Sequence, residues 1–152
     1  MKRIGKLSCD ESDGDIESRL YFDKKSRFIF ISGVINWQLA DDFFNVLISF
    51  ESFKSKKPIT IYINSEGGDA YAMFKIYDHV RNSPIPIVTV VSGHALSAGF
   101  IIFLAGDLRK AFPNAIFGFH APTLHYCAES NAGPDETTES ASHQNSMLNA
   151  IV

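Results

Sequence analysis

Apolar positions in this chain alternate between two kinds of pattern. Short, mainly apolar runs occur at residues 28–31, 59–63, 86–91 and 115–119. Such runs predict strands buried in a sheet. Between them lie segments with helical spacing. Trp37, Ala40, Phe44 and Leu47 share one face, opposite Gln38, Asp41, Asp42 and Asn45, and Asn36 stands at the N-cap. Phe43 and Phe50 widen that apolar face. Met73, Ile76, Tyr77 and Val80 form a second stripe that runs out at Asn82-Ser83-Pro84. Residues 96–106 predict a third, apolar helix. Strand and helix alternate, which predicts an α/β domain with a parallel sheet and helices packed over it.

Around these elements the pattern is weaker. Residues 1–15 are polar and predict a mobile arm, and residues 16–20 predict one helical turn. Residues 64–69 predict a loop, and residues 93–96 and 107–110 predict turns. Residues 123–133 have no clear period, and Pro134-Asp135-Glu136 then opens a helix that carries Met147, Leu148 and Ile151. That pattern stops in mid-helix at Val152, from which an incomplete domain is expected.

Composition narrows the function. The chain has 152 residues, 45% of them hydrophobic, enough for one sizeable core. Its 14 basic and 17 acidic residues are mixed along the chain, which argues against nucleic acid as a partner. The longest apolar run, at residues 98–105, is too short to span a bilayer, and no apolar run follows the basic residues of the N-terminus as a signal peptide requires. Cys9 and Cys127 lack metal-type spacing and read as free thiols in a reducing cytoplasm. No His/Cys/Asp/Glu cluster has the spacing of a metal site, and no phosphate-binding glycine motif is complete.

The candidate chemistry lies between residues 90 and 120. Ser97 falls between an apolar strand and an apolar helix, and His120 ends another strand. Taken singly, each reads more readily as packing. Taken together they change meaning, because in a parallel sheet the carboxyl ends of neighbouring strands line one crevice. Ser97, His120 and the loop carrying Gly67-Gly68 would all fall there. A serine with a histidine is the usual pair for an activated hydroxyl. Backbone N–H groups at a glycine turn and a helix start are what a tetrahedral oxyanion needs. The remaining histidines, His79, His94, His125 and His143, fall on expected polar faces or loops.

Several segments, in order over residues 15–122, resemble the proteolytic subunit of the ATP-dependent Clp protease. They are Asp15-Ile16-Glu17-Ser18-Arg19-Leu20, Arg27-Phe28-Ile29-Phe30-Ile31-Ser32-Gly33, Ile61-Tyr62-Ile63-Asn64-Ser65-Glu66-Gly67-Gly68, Ile76-Tyr77-Asp78, Gly93-His94-Ala95-Leu96-Ser97, and Phe112-Pro113-Asn114 with Phe119-His120-Ala121-Pro122. The resemblance implies the ClpP/crotonase fold, built from repeated β-β-α units, with a peptidase core at residues 16–133. Residues 134–152 would begin a handle helix, and the C-terminal part of the fold would be missing.

The resemblance also implies a serine endopeptidase acting on unfolded proteins. Ser97 would be the nucleophile and His120 the general base. The N–H groups of Gly68 and Ala98 would form the oxyanion hole, with Gly67 and Gly68 beside the substrate. It implies no cofactor, two stacked heptameric rings, a hexameric AAA+ unfoldase as the partner that uses ATP, and a cytoplasmic location. Four departures accompany it. Glu66 replaces the family's usual proline and Ala98 its usual methionine. Residues 123–131 lack the glycines of the substrate strand, and no residue matches the triad's aspartate, which lies beyond the handle helix. Two other readings stay open. One is an inactive subunit that assembles with active ones. The other is a crotonase-type acyl-CoA enzyme, which would not need Ser97.

Overall fold

Three strands with alternating burial make the middle of the sheet, and their register explains the core. The computed structural model describes residues 18–52 and 55–120. The expected N-terminal arm, both cysteines, His125, His143, the stretch after Pro122 and the helix from Pro134 lie outside those residues. The chain divides into two compact units, Met1–Phe119 and His120–Val152. Every element below belongs to the first, and His120 is the one described residue of the second.

Strand β1 (Arg19–Asp23) runs antiparallel to β2 (Phe28–Ile35). Helix α1 (Trp37–Glu51), β3 (Ile59–Gly68), α2 (Ala70–Arg81), β4 (Ile87–Leu96), α3 (Ala98–Leu104), β5 (Leu108–Ala111) and β6 (Ile116–Gly118) follow. The sheet order is β1-β2-β3-β4-β5, and β6 pairs with the far half of β4. From β2 onward all pairings are parallel and step across the sheet in one direction. Right-handed crossovers then carry successive helices to one and the same face. This is the α/β, mainly parallel fold that the sequence predicts.

Register lines up Ile29, Ile61 and Thr89 in one row and Ile31, Ile63 and Val91 in the next. All six are buried, and Thr89 turns its hydroxyl to the Phe103 carbonyl of α3 at 2.7 Å. The alternate row, including Phe28, Phe30 and Tyr62, is only partly covered, with Phe28 and Tyr62 in edge contact at 6.1 Å. Phe43 and Phe50 of α1 are among the largest wholly buried side chains. Truncating Phe43 to alanine should therefore cost about 3–5 kcal/mol. Urea denaturation that shows a change below about 1 kcal/mol would mean the α1 core can collapse around the gap.

Four sequence expectations change. Residues 19 and 20 are strand, not part of a helical turn. A hairpin captures them: Asp23 accepts from the Ser26 hydroxyl at 2.7 Å and the Lys25 N–H at 2.9 Å, and Arg27 takes φ 54°. The Ser26 hydroxyl first, then the Lys25 N–H, holds the Asp23 carboxyl below its ordinary pKa. On α1 the buried face is Leu39, Ala40, Phe43, Val46, Leu47 and Phe50, rotated from the expected one, and Trp37 is 52% exposed. Asn36 does cap the helix, accepting from the Leu39 N–H at 2.8 Å. Residues 64–68 and 93–96 continue β3 and β4 rather than forming loops, because each finds a neighbouring strand. Finally, residues 108–110 are strand, since β5 pairs with residues 88–91 of β4.

Candidate active site

The site is built where β4 turns into α3. Leu96 is the last strand residue and Ala98 the first helical one, so Ser97 alone makes the corner, at φ 49° and ψ −119°. A non-glycine residue there is strained, by about 1–3 kcal/mol for a sparsely populated backbone state. Backbone bonds on both sides hold it. The Ser97 N–H donates to the Gly118 carbonyl of β6 at 2.7 Å, and the Ser97 carbonyl accepts from Phe100 and Ile101 at 3.0 and 3.3 Å. The hydroxyl makes no capping bond to the helix, so Oγ is not used up in folding the corner.

Gly67 packs directly against that corner. A Cβ on Gly67 would lie 2.8 Å from Ser97 Cβ, 2.9 Å from the Leu96 carbonyl oxygen and 3.0 Å from the Ala98 nitrogen. Its φ of 104° also favours glycine. Gly68, at φ 149°, presses on the other side against the Ile35 backbone of β2. The glycine pair is thus wedged between the end of β2 and the Ser97 turn, and no side chain fits at either position. The Ala98 N–H, as the first of a helix, has no intrahelical acceptor. Ser65, wholly buried just upstream, braces the bend by donating to the Gly33 carbonyl at 2.7 Å and accepting from the Gly67 N–H at 3.1 Å.

The structure therefore brings Gly67, Ser97 and Ala98 into contact distance, with Gly68 next along the strand. His120 is exposed and opens the second unit, two residues after Gly118 in the chain. Of the three aspartates closest in sequence to these elements, two are engaged in the fold. Asp69 caps α2 through the Ala72 N–H at 2.7 Å, and Asp107 accepts from the Ile87 N–H at 2.8 Å. Asp78 is exposed on α2. Among the described residues, no group of three His, Cys, Asp or Glu side chains is placed to hold a metal ion. No described helix is long and apolar enough to cross a membrane.

A strained serine between strand and helix, with a glycine packed against it, suits acyl transfer. The description of one protein family, Clp protease, matches residues 9–152. The chain belongs to the Clp protease family. It is 39% identical over 99 residues to ATP-dependent Clp protease proteolytic subunit 2 of Treponema denticola, covering 64% of this chain and 50% of that one. It is 36% identical over 112 residues to the ATP-dependent Clp protease proteolytic subunit of Deinococcus radiodurans, covering 72% of this chain and 53% of that one. The chain thus spans about half the length of these curated Clp relatives. Among solved structures, a mutant of ClpP1 from Listeria monocytogenes superposes with a TM-score of 0.72 at 31% identity, covering 84% of this chain and 71% of that one. Its fold is the ClpP fold.

Sequence reasoning missed two features of this Clp-type site. One is the Gly118 carbonyl that anchors the Ser97 amide, which no side-chain pattern can reveal. The other is a half-buried Glu66–His94 pair, with Oε2 and Nε2 3.8 Å apart. Glu66 stands out only as a departure from the proline that the resemblance implies.

Proposed function

We propose that this chain is a serine endopeptidase subunit of an ATP-dependent Clp-type protease. The observation that carries the reading is Ser97 held on a strained corner, its hydroxyl uncommitted to capping, with Gly67 packed against it. In this reading His120 takes the Ser97 Oγ proton as Oγ attacks a peptide carbonyl. The N–H groups of Gly68 and Ala98 receive the oxyanion. His120 then protonates the leaving amine, and water releases the acyl group by the reverse sequence. Family membership supports both residues, and none of Asp69, Asp78 and Asp107 is proposed as the orienting acid.

The same reading assigns residues 16–133 to the peptidase core and residues 134–152 to the start of a handle helix. It makes unfolded protein the substrate. A ring-shaped AAA+ ATPase delivers that substrate to stacked heptameric rings in the cytoplasm. ATP is hydrolysed by that partner, so the chain itself uses no cofactor.

The test is covalent labelling of the protein with a fluorophosphonate probe, mapped by mass spectrometry. Ser97 should carry the adduct. His120→Ala should slow labelling by about 10⁴, the scale on which triad members matter. Undiminished labelling of that variant would assign the base to another residue. No adduct on Ser97, with assembly intact, would instead favour a non-catalytic subunit. A rise in melting temperature with acyl-CoA would favour the crotonase-type alternative.

A further inference from the structure

The parallel ladder between β3 and β4 is interrupted just before the candidate site. Ile63 pairs with Val91, and the next pair is Ser65 with Ala95. Between them Asn64 faces the whole of Ser92-Gly93-His94. Asn64 spans part of the gap by accepting the His94 N–H on Oδ1 at 3.2 Å, in space that a side chain on Gly93 would fill. A second contact, between side chains, joins the two strands beside the interruption. Glu66 Oε2 lies 3.8 Å from His94 Nε2, with the two side chains 28% and 36% exposed. Glu66 Oε1 is buried and, among the described residues, has no hydrogen-bond partner.

This pair stands one residue before Gly67 on one strand and just upstream of Leu96-Ser97 on the other. Gly67 is the residue packed against Leu96, Ser97 and Ala98. Whatever draws Glu66 and His94 together therefore draws the glycine pair toward the serine corner. We propose that Glu66 and His94 are positioning residues, a charge-dependent clasp that seats the Gly67-Gly68 strand against Ser97. The functional half of this inference rests on the Ser97 hydrolase reading; the pairing itself does not.

The clasp has a definite sign with pH. A carboxylate is charged throughout the neutral range, whereas an imidazole acquires charge on acidification, between about pH 8 and 5. Attraction is thus present on the acid side and lost as pH rises. Other charged or titratable groups on the elements packed against β4 are few. On β3 there is Tyr62, and β5 carries Arg109 and Lys110, opposite Thr89 and Val90 and so well upstream of His94. Neither α3 nor β6 carries any. Partial exposure keeps the pair's effect modest.

A double-mutant cycle separates the two claims. The wild-type protein, Glu66→Gln, His94→Gln and the double variant would be melted at about pH 5.5 and about pH 8.5, either side of the imidazole range. The expected result is a coupling of about 1–3 °C at the acid value that vanishes at the alkaline one. Additive shifts at both values overturn the clasp. In parallel, the labelling rate of Ser97 with the fluorophosphonate would be compared between wild type and Glu66→Gln. The Glu66→Gln defect should be about threefold larger at acid pH than at alkaline pH. An equal ratio at both values overturns the positioning role even if the melting cycle couples. If Ser97 is never labelled while the cycle couples, the hydrolase reading fails, and the positioning role with it, and the pair itself stands.

Discussion

Replacing Ser97 by alanine is expected to lower peptide hydrolysis by about 10⁴–10⁶ while leaving the fold intact. Both halves of this outcome follow from the corner. Oγ is the proposed nucleophile, so its removal leaves only binding and oxyanion stabilisation. Yet Oγ makes no helix-capping bond, and alanine keeps the Cβ that already tolerates φ 49°. Stability should therefore change by less than about 0.5 kcal/mol. Ser97→Gly sharpens the point. Glycine relieves the positive φ, so the variant should be equally inactive and yet more stable by about 0.4–1 kcal/mol. A thermal melt with a steady-state peptidase assay checks all three values. A Ser97→Gly variant less stable than wild type would mean that the corner is not strained as described.

Gly68→Ala is expected to be the most damaging change of a single methyl group. The added carbon would meet the carbonyl oxygen of Ile35, with the Ile35 nitrogen and carbonyl carbon 2.8 and 2.9 Å away. All three atoms belong to the backbone of a sheet strand, so no side-chain rotation can relieve the contact. The φ of 149° adds strain for any L side chain. Relief requires β2 and β3 to part, which also endangers the Asp69 N–H bond to the Ile35 carbonyl at 2.8 Å. Strain and overpacking together should cost about 2–6 kcal/mol. Ser97 labelling should fall with it, because the same strand end carries Gly67 against Ser97. Equilibrium unfolding and the labelling rate test the two effects separately. A Gly68→Ala protein with wild-type stability would show that the strand end has room that the geometry denies it.

The second expectation rests on the glycine pair, whose importance was only partly legible in the sequence. Gly67-Gly68 after an apolar run signalled a turn near strand ends. It did not signal which atoms the glycines touch. The contacts with Ile35 on one side and Ser97 on the other join three separate strands. They depend on parallel register, which a single sequence does not encode locally. The same limit explains the misread ends of β3 and β4. Residues 64–68 and 93–96 are polar or small and lack an apolar run, so local propensity favours loop. Ladder partners on β2, β3 and β6 extend them as strand instead.

The rotated face of α1 has a comparable origin. Trp37 and Phe44 match a helical stripe as well as Phe43, Val46 and Phe50 do, and hydrophobicity cannot rank two overlapping stripes. Packing ranks them, since the face that meets the sheet buries Phe43 and Phe50 completely and leaves Trp37 at the first turn half exposed. Residues 108–110 were misread for the opposite reason. The exposed, charged side chains of Arg109 and Lys110 suggest a turn, but strand β5 is held through its backbone by β4.

By itself the sequence determined the alternation of strands and helices, the cap at Asn36, and the family. It also determined which residue types were available for acyl transfer. These follow from local periodicity, side-chain chemistry and motifs read in order. Only the tertiary structure decided that Ser97 sits alone on a strained corner, and that the Gly118 carbonyl holds its amide. It alone decided that Gly67 is wedged against that corner and that Glu66 meets His94 across a break in the ladder. Each of these depends on which backbone atoms lie side by side, and sheet register sets that through contacts far apart in the chain.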